Sequence, residues 1–185
     1  MRRILIVGSS GAGKSTLARE LARRLDLPLI HLDRHYWRPG WAAPADADFR
    51  AEVAALAARP VWVMDGNYAS TLDLRLPRAD LLVLCDPSPL RCLVRVLRRR
   101  WTHRVTPRPD LPEGCPEQID VQLLHYVWSY PRRSRPRVLA AARVLAPTLP
   151  LIRLRTPRDI RHFLATLPDA PRYAAGRPAP PGAHR

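Results

Sequence analysis

The stretch Gly8-Ser9-Ser10-Gly11-Ala12-Gly13-Lys14-Ser15 fits the pattern G-x-x-x-x-G-K-[ST], and each residue type in it has a chemical task. Glycines let the chain turn its backbone N–H groups inward around a phosphate, and a helix that starts at the loop adds positive potential. A lysine at the place of Lys14 reaches β- and γ-phosphates, the hydroxyl of Ser15 ligates Mg²⁺, and Thr16 lies nearer the α-phosphate. Lys14 is the only lysine among 31 basic residues. A chain that otherwise uses arginine throughout and keeps lysine here points to ATP with Mg²⁺ as the ligand.

Three more clusters carry chemistry. Asp33 follows an apolar run and offers a carboxylate to a substrate hydroxyl or to metal-bound water; an ordinary turn-capping aspartate reads the same way. Asp65-Gly66-Asn67-Tyr68 follows the next such run. A carboxylate there is placed to hold Mg²⁺ through water beside Ser15, although Asp-Gly also marks a tight turn. The third cluster is Arg91, Arg95, Arg98, Arg99, Arg100, Arg104 and Arg108. On a helix Arg95 and Arg99 share a face and converge on one phosphate, whereas Arg91 and Arg98 suit a solvated face. Phosphoryl transfer needs positioning and charge stabilisation, so Lys14, Arg95, Arg99 and Arg108 are expected to hold the transferred charge. Asp33 is expected to orient or deprotonate an acceptor hydroxyl. If the acceptor carries a phosphate, Arg75 is the better contact. Trp37, Trp41 and Tyr68 either stack on a base or pack their loop against the sheet.

These residues need a scaffold, and the apolar pattern supplies one. Arg3 to Val7 reads as a strand, Lys14 to Leu25 as an amphipathic helix, Leu27 to Leu32 as a strand, and Asp46 as the N-cap of a helix through Ala58. Val61 to Met64, Leu81 to Cys85 and Leu149 to Leu154 read as strands; Leu90 to Trp101, Gln118 to Arg133 and Pro157 to Leu167 read as helices. Continuous apolar strands alternating with helices predict an α/β fold, with a five-stranded parallel sheet covered on both faces. A proline-rich segment at about 101–117 is expected to be a lid. Residues 1–167 form the expected single domain. The Pro-, Ala- and Arg-rich stretch 168–185 has little to bury and is expected to be a disordered tail.

At 185 residues the chain suits one domain with a proper core. Its net charge of +15 would suit a polyanion, yet arginine in place of lysine, with abundant alanine and proline, reflects coding composition as readily. Three cysteines without C-x-x-C spacing argue against a disulfide framework or a zinc site and fit a reducing, cytoplasmic setting. No apolar run approaches the roughly 20 residues of a membrane span, and Met1-Arg2-Arg3-Ile4 reads as the start of a buried strand rather than an export signal. No membrane partner is expected, and the oligomeric state is left open.

The phosphate loop, Leu32-Asp33 with Trp37-Arg-Pro-Gly-Trp41, Asp65-Gly-Asn-Tyr68, Leu74-Arg75-Leu76 with Ala79-Asp80, and Arg108-Pro-Asp110 with Glu113-Gly-Cys-Pro-Glu117 together resemble the DNA topology modulation protein family. Its members are adenylate-kinase-like P-loop proteins. The resemblance covers about Arg3 to Leu167. It implies a three-layer P-loop NTPase fold of the nucleoside-monophosphate-kinase type with a lid, and a kinase that moves the γ-phosphate of ATP to a small acceptor, nucleotides and nucleosides among them. Arg95-x-x-x-Arg99 is similar to the lid-base arginine pair of adenylate kinases, and Asp65-Gly66 to the start of their Asp-Gly-aromatic-Pro-Arg segment, from which this chain departs with Asn67-Tyr68. A nucleotide-dependent DNA-binding or topology-modulating regulator is the alternative, with nucleic acid as a less favoured partner, since no recognised DNA-reading motif is present. Slow ATP hydrolysis without an acceptor is a third reading.

Overall fold

The computed structural model describes residues 1–102, 112, 114, 115 and 119–167. Five short parallel strands form its centre: β1 (Arg3–Gly8), β2 (Leu29–His31), β3 (Trp62–Asp65), β4 (Leu81–Cys85) and β5 (Leu151–Leu154), in the spatial order β2-β3-β1-β4-β5. The alternation of a strand sends Ile4 and Ile6 into one core and Leu5 and Val7 into another. Both faces are therefore covered, which is why the strands read as unbroken apolar runs. The register places Gly8 beside Cys85, Ile6 beside Asp65, and His31 beside Asp65, so the chemically equipped residues collect at one edge, the carboxyl ends of the strands.

One face is covered by α1 (Lys14–Leu25), α5 (Pro89–Thr102) and α7 (Pro157–Thr166), which contribute Leu17, Leu21, Cys92, Val96 and Phe163 to its core. The other is covered mainly by α3 (Asp46–Ala57), through Phe49, Val53 and Leu56. The short helices α2 (Leu32–Tyr36) and α4 (Leu72–Arg75) follow β2 and β3.

The long helix α6 (Val121–Leu145) belongs to both layers. Its Val127 lies in the first core and its Val138 and Ala142 in the second, so the helix passes across the strand ends. The sequence suggests a helix ending at Arg133, before Pro136. The structure instead carries α6 through Pro131 and Pro136. Each proline removes one backbone bond, and the buried Val138 and Ala142 beyond them offset that loss.

Smaller differences have local causes. Asp46 lies inside α3, whose N-cap is Ala45; Asp46 and Asp48 instead place negative charge in its first turn, where the helix dipole favours it. Leu32 leaves β2 and starts α2, turning Asp33 toward the site.

Most of the expected lid, including Arg104 and Arg108, and the expected tail at 168–185 lie outside the described residues. Gly114 and Cys115 are described and dock on the aromatic loop: Gly40 N donates to the Gly114 carbonyl at 2.9 Å, and Cys115 Sγ to the Arg38 carbonyl at 3.2 Å. Among the described residues no helix is long and apolar enough to cross a membrane. Cys85, Cys92 and Cys115 are all buried free thiols.

Candidate phosphate and acceptor site

The loop between β1 and α1 is shaped by glycines that cannot be replaced in place. Gly8 has φ +148°, and a Cβ there would lie 2.3 Å from the Cys85 carbonyl oxygen; Gly11 has φ +73°, and its Cβ would lie 2.4 Å from that of Cys92. The loop is thus pressed against β4 and α5. Gly13, in the left-handed region, caps α1 without any side-chain hydrogen bond, and the first turn of the helix holds no acid. Its N–H groups are left for an anion. Lys14 Nζ donates to the Ser9 carbonyl at 3.0 Å, folding the lysine back over the loop. Ser9 Oγ is buried and makes no hydrogen bond among the described residues. A cradle of this kind fits a chain of phosphates, for which Ser9 supplies a further donor. Ser10 and Ala12 complete it, Ser15 is half-buried at the helix start, and Thr16 is exposed.

Two arginines reach the loop from α5. Arg95 Nη1 lies 3.5 Å and 3.4 Å from the Gly11 and Ala12 carbonyls, and Arg99 Nη2 lies 3.5 Å from Ser10 Oγ. These contacts are at the long limit for hydrogen bonds, so an anion held in the loop would be a stronger partner for both guanidinium groups.

The acid after β3 is buried and paired. His31 Nδ1 and Asp65 Oδ1 are 2.6 Å apart, both under a tenth exposed. The pair joins β2 to β3 across 34 residues, and Asp65 faces the first layer, as Val63 does. Among the described residues no group of three or more His, Cys, Asp or Glu could hold a metal ion. Mg²⁺ of the kind held chiefly by substrate phosphates needs few protein ligands, and the Ser15 hydroxyl and Asp65 carboxylate are oxygen donors of the type it takes.

Beyond Asp65 the chain builds a hydrogen-bonded and aromatic cluster. Tyr68 donates its phenol to Asp33 Oδ1 at 2.7 Å. Burial pushes the Tyr68 phenol far above its usual range, the Asp33 charge adding to it, so it remains a donor. Asn67 Nδ2 donates to the Tyr126 hydroxyl at 2.7 Å, and the Tyr130 hydroxyl donates to Asn67 Oδ1 at 3.3 Å. Burial raises Tyr126 to about 12. Trp37 packs edge-on against Tyr36 and Trp41, with ring centroids 4.7 and 5.1 Å apart, and Tyr36 in turn meets Tyr68 at 4.7 Å. Trp37 thus joins Tyr36 and Trp41 in one aromatic cluster.

Arg75 lies elsewhere than expected. It is fully buried, and its guanidinium donates to the carbonyls of Gly66, Asn67, Tyr68 and Thr71. Burial lowers its pKa, and the carbonyls supply the acceptors that a sealed cation needs. It holds the turn that presents Asn67 and Tyr68 rather than touching an acceptor phosphate.

His31, Tyr126 and Tyr130 escape the sequence reading. The signals were a polar residue closing an apolar strand, and two tyrosines four apart on one helix face. Asp86, just after β4, also escapes it. Buried, Asp86 accepts from Arg153 and from Arg135 Nη1, the latter at 3.2 Å, tying α6 to the end of the sheet.

A phosphate-type loop at the carboxyl edge of a parallel sheet ordered 2-3-1-4-5, overlain by a helix with two arginines, defines the fold of small P-loop kinases of the nucleoside-monophosphate-kinase type. Comparison with solved structures agrees. Shikimate kinase from Acinetobacter baumannii in complex with shikimate is 19% identical, with 89% of each chain covered and a TM-score of 0.54. A candidate kinase from Chloroflexus aurantiacus is also 19% identical, covering 89% of this chain and 96% of its own, with a TM-score of 0.51. Deoxyadenosine kinase from M. mycoides with bound dATP is 11% identical, covering 88% and 95%, at 0.49. At these identities the likeness to the first two is one of fold. No protein-family model matches the chain, and no curated protein matches it.

Proposed function

We propose that the chain is an ATP-dependent phosphotransferase that moves the γ-phosphate to a hydroxyl of a small acceptor. The observation that carries this reading is the approach of Arg95 and Arg99 to the phosphate loop from α5. A nucleotide-binding protein needs the loop alone, whereas transfer gains from cations placed where charge moves.

The division of work follows from position. The loop 8–15 binds the phosphates through backbone N–H groups, and Lys14 swings from the Ser9 carbonyl to the β- and γ-oxygens. Arg95 and Arg99 stabilise charge on the transferred group, joined by Arg108 in this reading. Ser15 directly and Asp65 through water would hold Mg²⁺, which would supply charge neutralisation. His31 fixes the orientation of the Asp65 carboxylate. Asp33, held by Tyr68, receives the acceptor's hydroxyl, and Trp37 and Asn67 belong to the wall around it. The resemblance to the DNA topology modulation family supports the same layout.

The test is ATP consumption with Mg²⁺ in the presence of nucleosides, nucleoside monophosphates and small alcohols, with Lys14→Ala as the blank. The expected result is one acceptor that raises turnover well above the water rate, with its phosphorylated product lost in the blank. Turnover no faster than water with every acceptor, while ATP still binds, would overturn the reading in favour of a nucleotide-dependent regulator. That regulator's DNA binding would weaken steeply with salt.

A further inference from the structure

Single exposed apolar side chains are ordinary on a protein surface, but a line of them is not. On α5, Leu90, Val94 and Leu97 are 64%, 56% and 54% exposed. At 100° per residue they fall within about 60° of arc, one above the other along the helix. Trp101, 74% exposed, lies on the same line one turn further. The core side of α5 is occupied by Cys92 and Val96, while Arg95 and Arg99 turn to the phosphate loop. The helix therefore carries a second apolar face that the described core does not bury.

The border of this face is basic. Arg91 and Arg98 lie about 80–100° around the helix from Leu90; both are exposed, and neither forms an ion pair among the described residues. All the charged residues of α5 are arginines, and α6, which packs against it, likewise has no acid. A partner must then be apolar along a line of about 16 Å and negative at its edge.

A second copy of the chain fits this face poorly, because Arg91 and Arg98 would meet like charges. The patch is also on the order of a few hundred Å², less than the roughly 800 Å² that each partner buries in a stable complex. A bilayer with anionic headgroups meets both demands at once. Leucine, valine and tryptophan enter the boundary between headgroups and acyl chains, and arginines at the border reach out to the lipid phosphates. A helix so placed lies along the surface and needs none of the length of a membrane span.

We propose that α5 docks the protein on anionic membrane surfaces, with Leu90, Val94 and Leu97 entering the interface and Arg91 and Arg98 holding the headgroups. Arg95 and Arg99 lie about 140–180° around the helix from Leu90, so docking and phosphate binding use different sides of α5.

The experiment is co-sedimentation of the full chain with vesicles of phosphatidylcholine alone and of phosphatidylcholine with about one-third phosphatidylglycerol. The expected result is at least about tenfold stronger partition onto the anionic vesicles, weakened by salt. Val94→Ser combined with Leu97→Ser should lower that partition at least about tenfold, and Arg91→Gln combined with Arg98→Gln by a similar factor. All four side chains are exposed, so the thermal midpoint and Mg²⁺-ATP affinity of both variants should match wild type, which separates lost docking from misfolding. Equal partition onto the two kinds of vesicle, or none, would overturn the inference. So would anionic binding that survives Val94→Ser with Leu97→Ser, which would assign it to the net charge of +15 alone. A dimer in sedimentation velocity that the same two substitutions dissociate would give the face to a second copy and overturn it too.

Discussion

Arg75 Nη1 donates to the Gly66 carbonyl at 3.0 Å, so a fully buried cation and the turn after β3 form one unit. Gly66 itself has φ +143°, and a Cβ there would lie 2.7 Å from that of Leu32, which leaves the turn little freedom to satisfy its carbonyls otherwise. Arg75→Met should therefore cost about 3–5 kcal/mol, the range for removing one partner of a buried charged network. Arg75→Lys should recover less than half, because an ammonium lacks the planar fork that spans several carbonyls. Urea unfolding of the three proteins, with unchanged m-values, checks both. Equal stability of Arg75→Lys and wild type would mean that charge alone, not the fork, holds the turn.

Gly11 and Gly40 separate backbone strain from contact. Their φ values are +73° and +75°, but a Cβ on Gly11 would meet the Cys92 carbonyl at 2.4 Å whereas one on Gly40 meets nothing within 4 Å. Gly40→Ala should cost only the left-handed penalty, about 1–2 kcal/mol, with ATP affinity unchanged. Gly11→Ala adds displacement of the loop from α5, so it should be less stable than Gly40→Ala and lose ATP binding at least tenfold. Thermal unfolding and calorimetric titration with Mg²⁺-ATP measure the two effects.

The contrast between these sites also shows what sequence carries. The phosphate loop was legible because its chemistry is local, eight consecutive residues between a strand and a helix. The strands were legible because burial on both faces leaves runs such as Ile4 to Val7 and Leu81 to Cys85 apolar at successive positions. The His31–Asp65 and Arg153–Asp86 pairs join residues 34 and 67 apart in the chain, and only the strand register brings them together. Arg75 was misplaced for a related reason: its partners are backbone carbonyls, which no side-chain pattern reveals. The length of α6 was underestimated because Pro136 is a local stop signal, overridden by packing of Val138 and Ala142 against the second layer.

Asp80 gives the fold a defined sensitivity to acid. It accepts from the backbone N–H groups of Arg2 and Arg3 and from Arg3 Nη2, clamping the start of β1 to β4. Burial alone would raise its pKa, but these donors outweigh it and hold the carboxyl below its ordinary value of 3.8. The unfolded chain then binds the proton more readily than the folded one, so this stabilisation is complete above the ordinary value and is lost as pH falls through the folded one. Asp80→Asn should lower stability at pH 7 and flatten the acid limb of the stability curve. Urea midpoints for both proteins at pH 7, 4 and 3 should converge toward the lowest pH; a gap that stays constant would show that Asp80 acts through packing and not through its charge.

Tyr68→Phe tests the acceptor wall with little disturbance of the fold. The ring contacts with Tyr36 and Phe49, at centroid distances of 4.7 and 5.0 Å, are kept, and only the donor to Asp33 is lost. A hydrogen bond to a charged group is worth about 1.5–3 kcal/mol. Loss of that order in positioning Asp33 corresponds to about 10- to 100-fold in kcat/KM for the acceptor. The phenol's raised pKa keeps it protonated at working pH, so wild type and variant should share the same pH profile between about pH 6 and 9, differing only in height. ATP affinity should stay within about twofold, because the nearest parts of the phosphate loop are held by Arg95, Arg99 and Lys14. Steady-state kinetics with varied acceptor, paired with ATP titration, distinguish the cases. A parallel fall in ATP affinity would assign Tyr68 to the phosphate loop rather than to the positioning of Asp33.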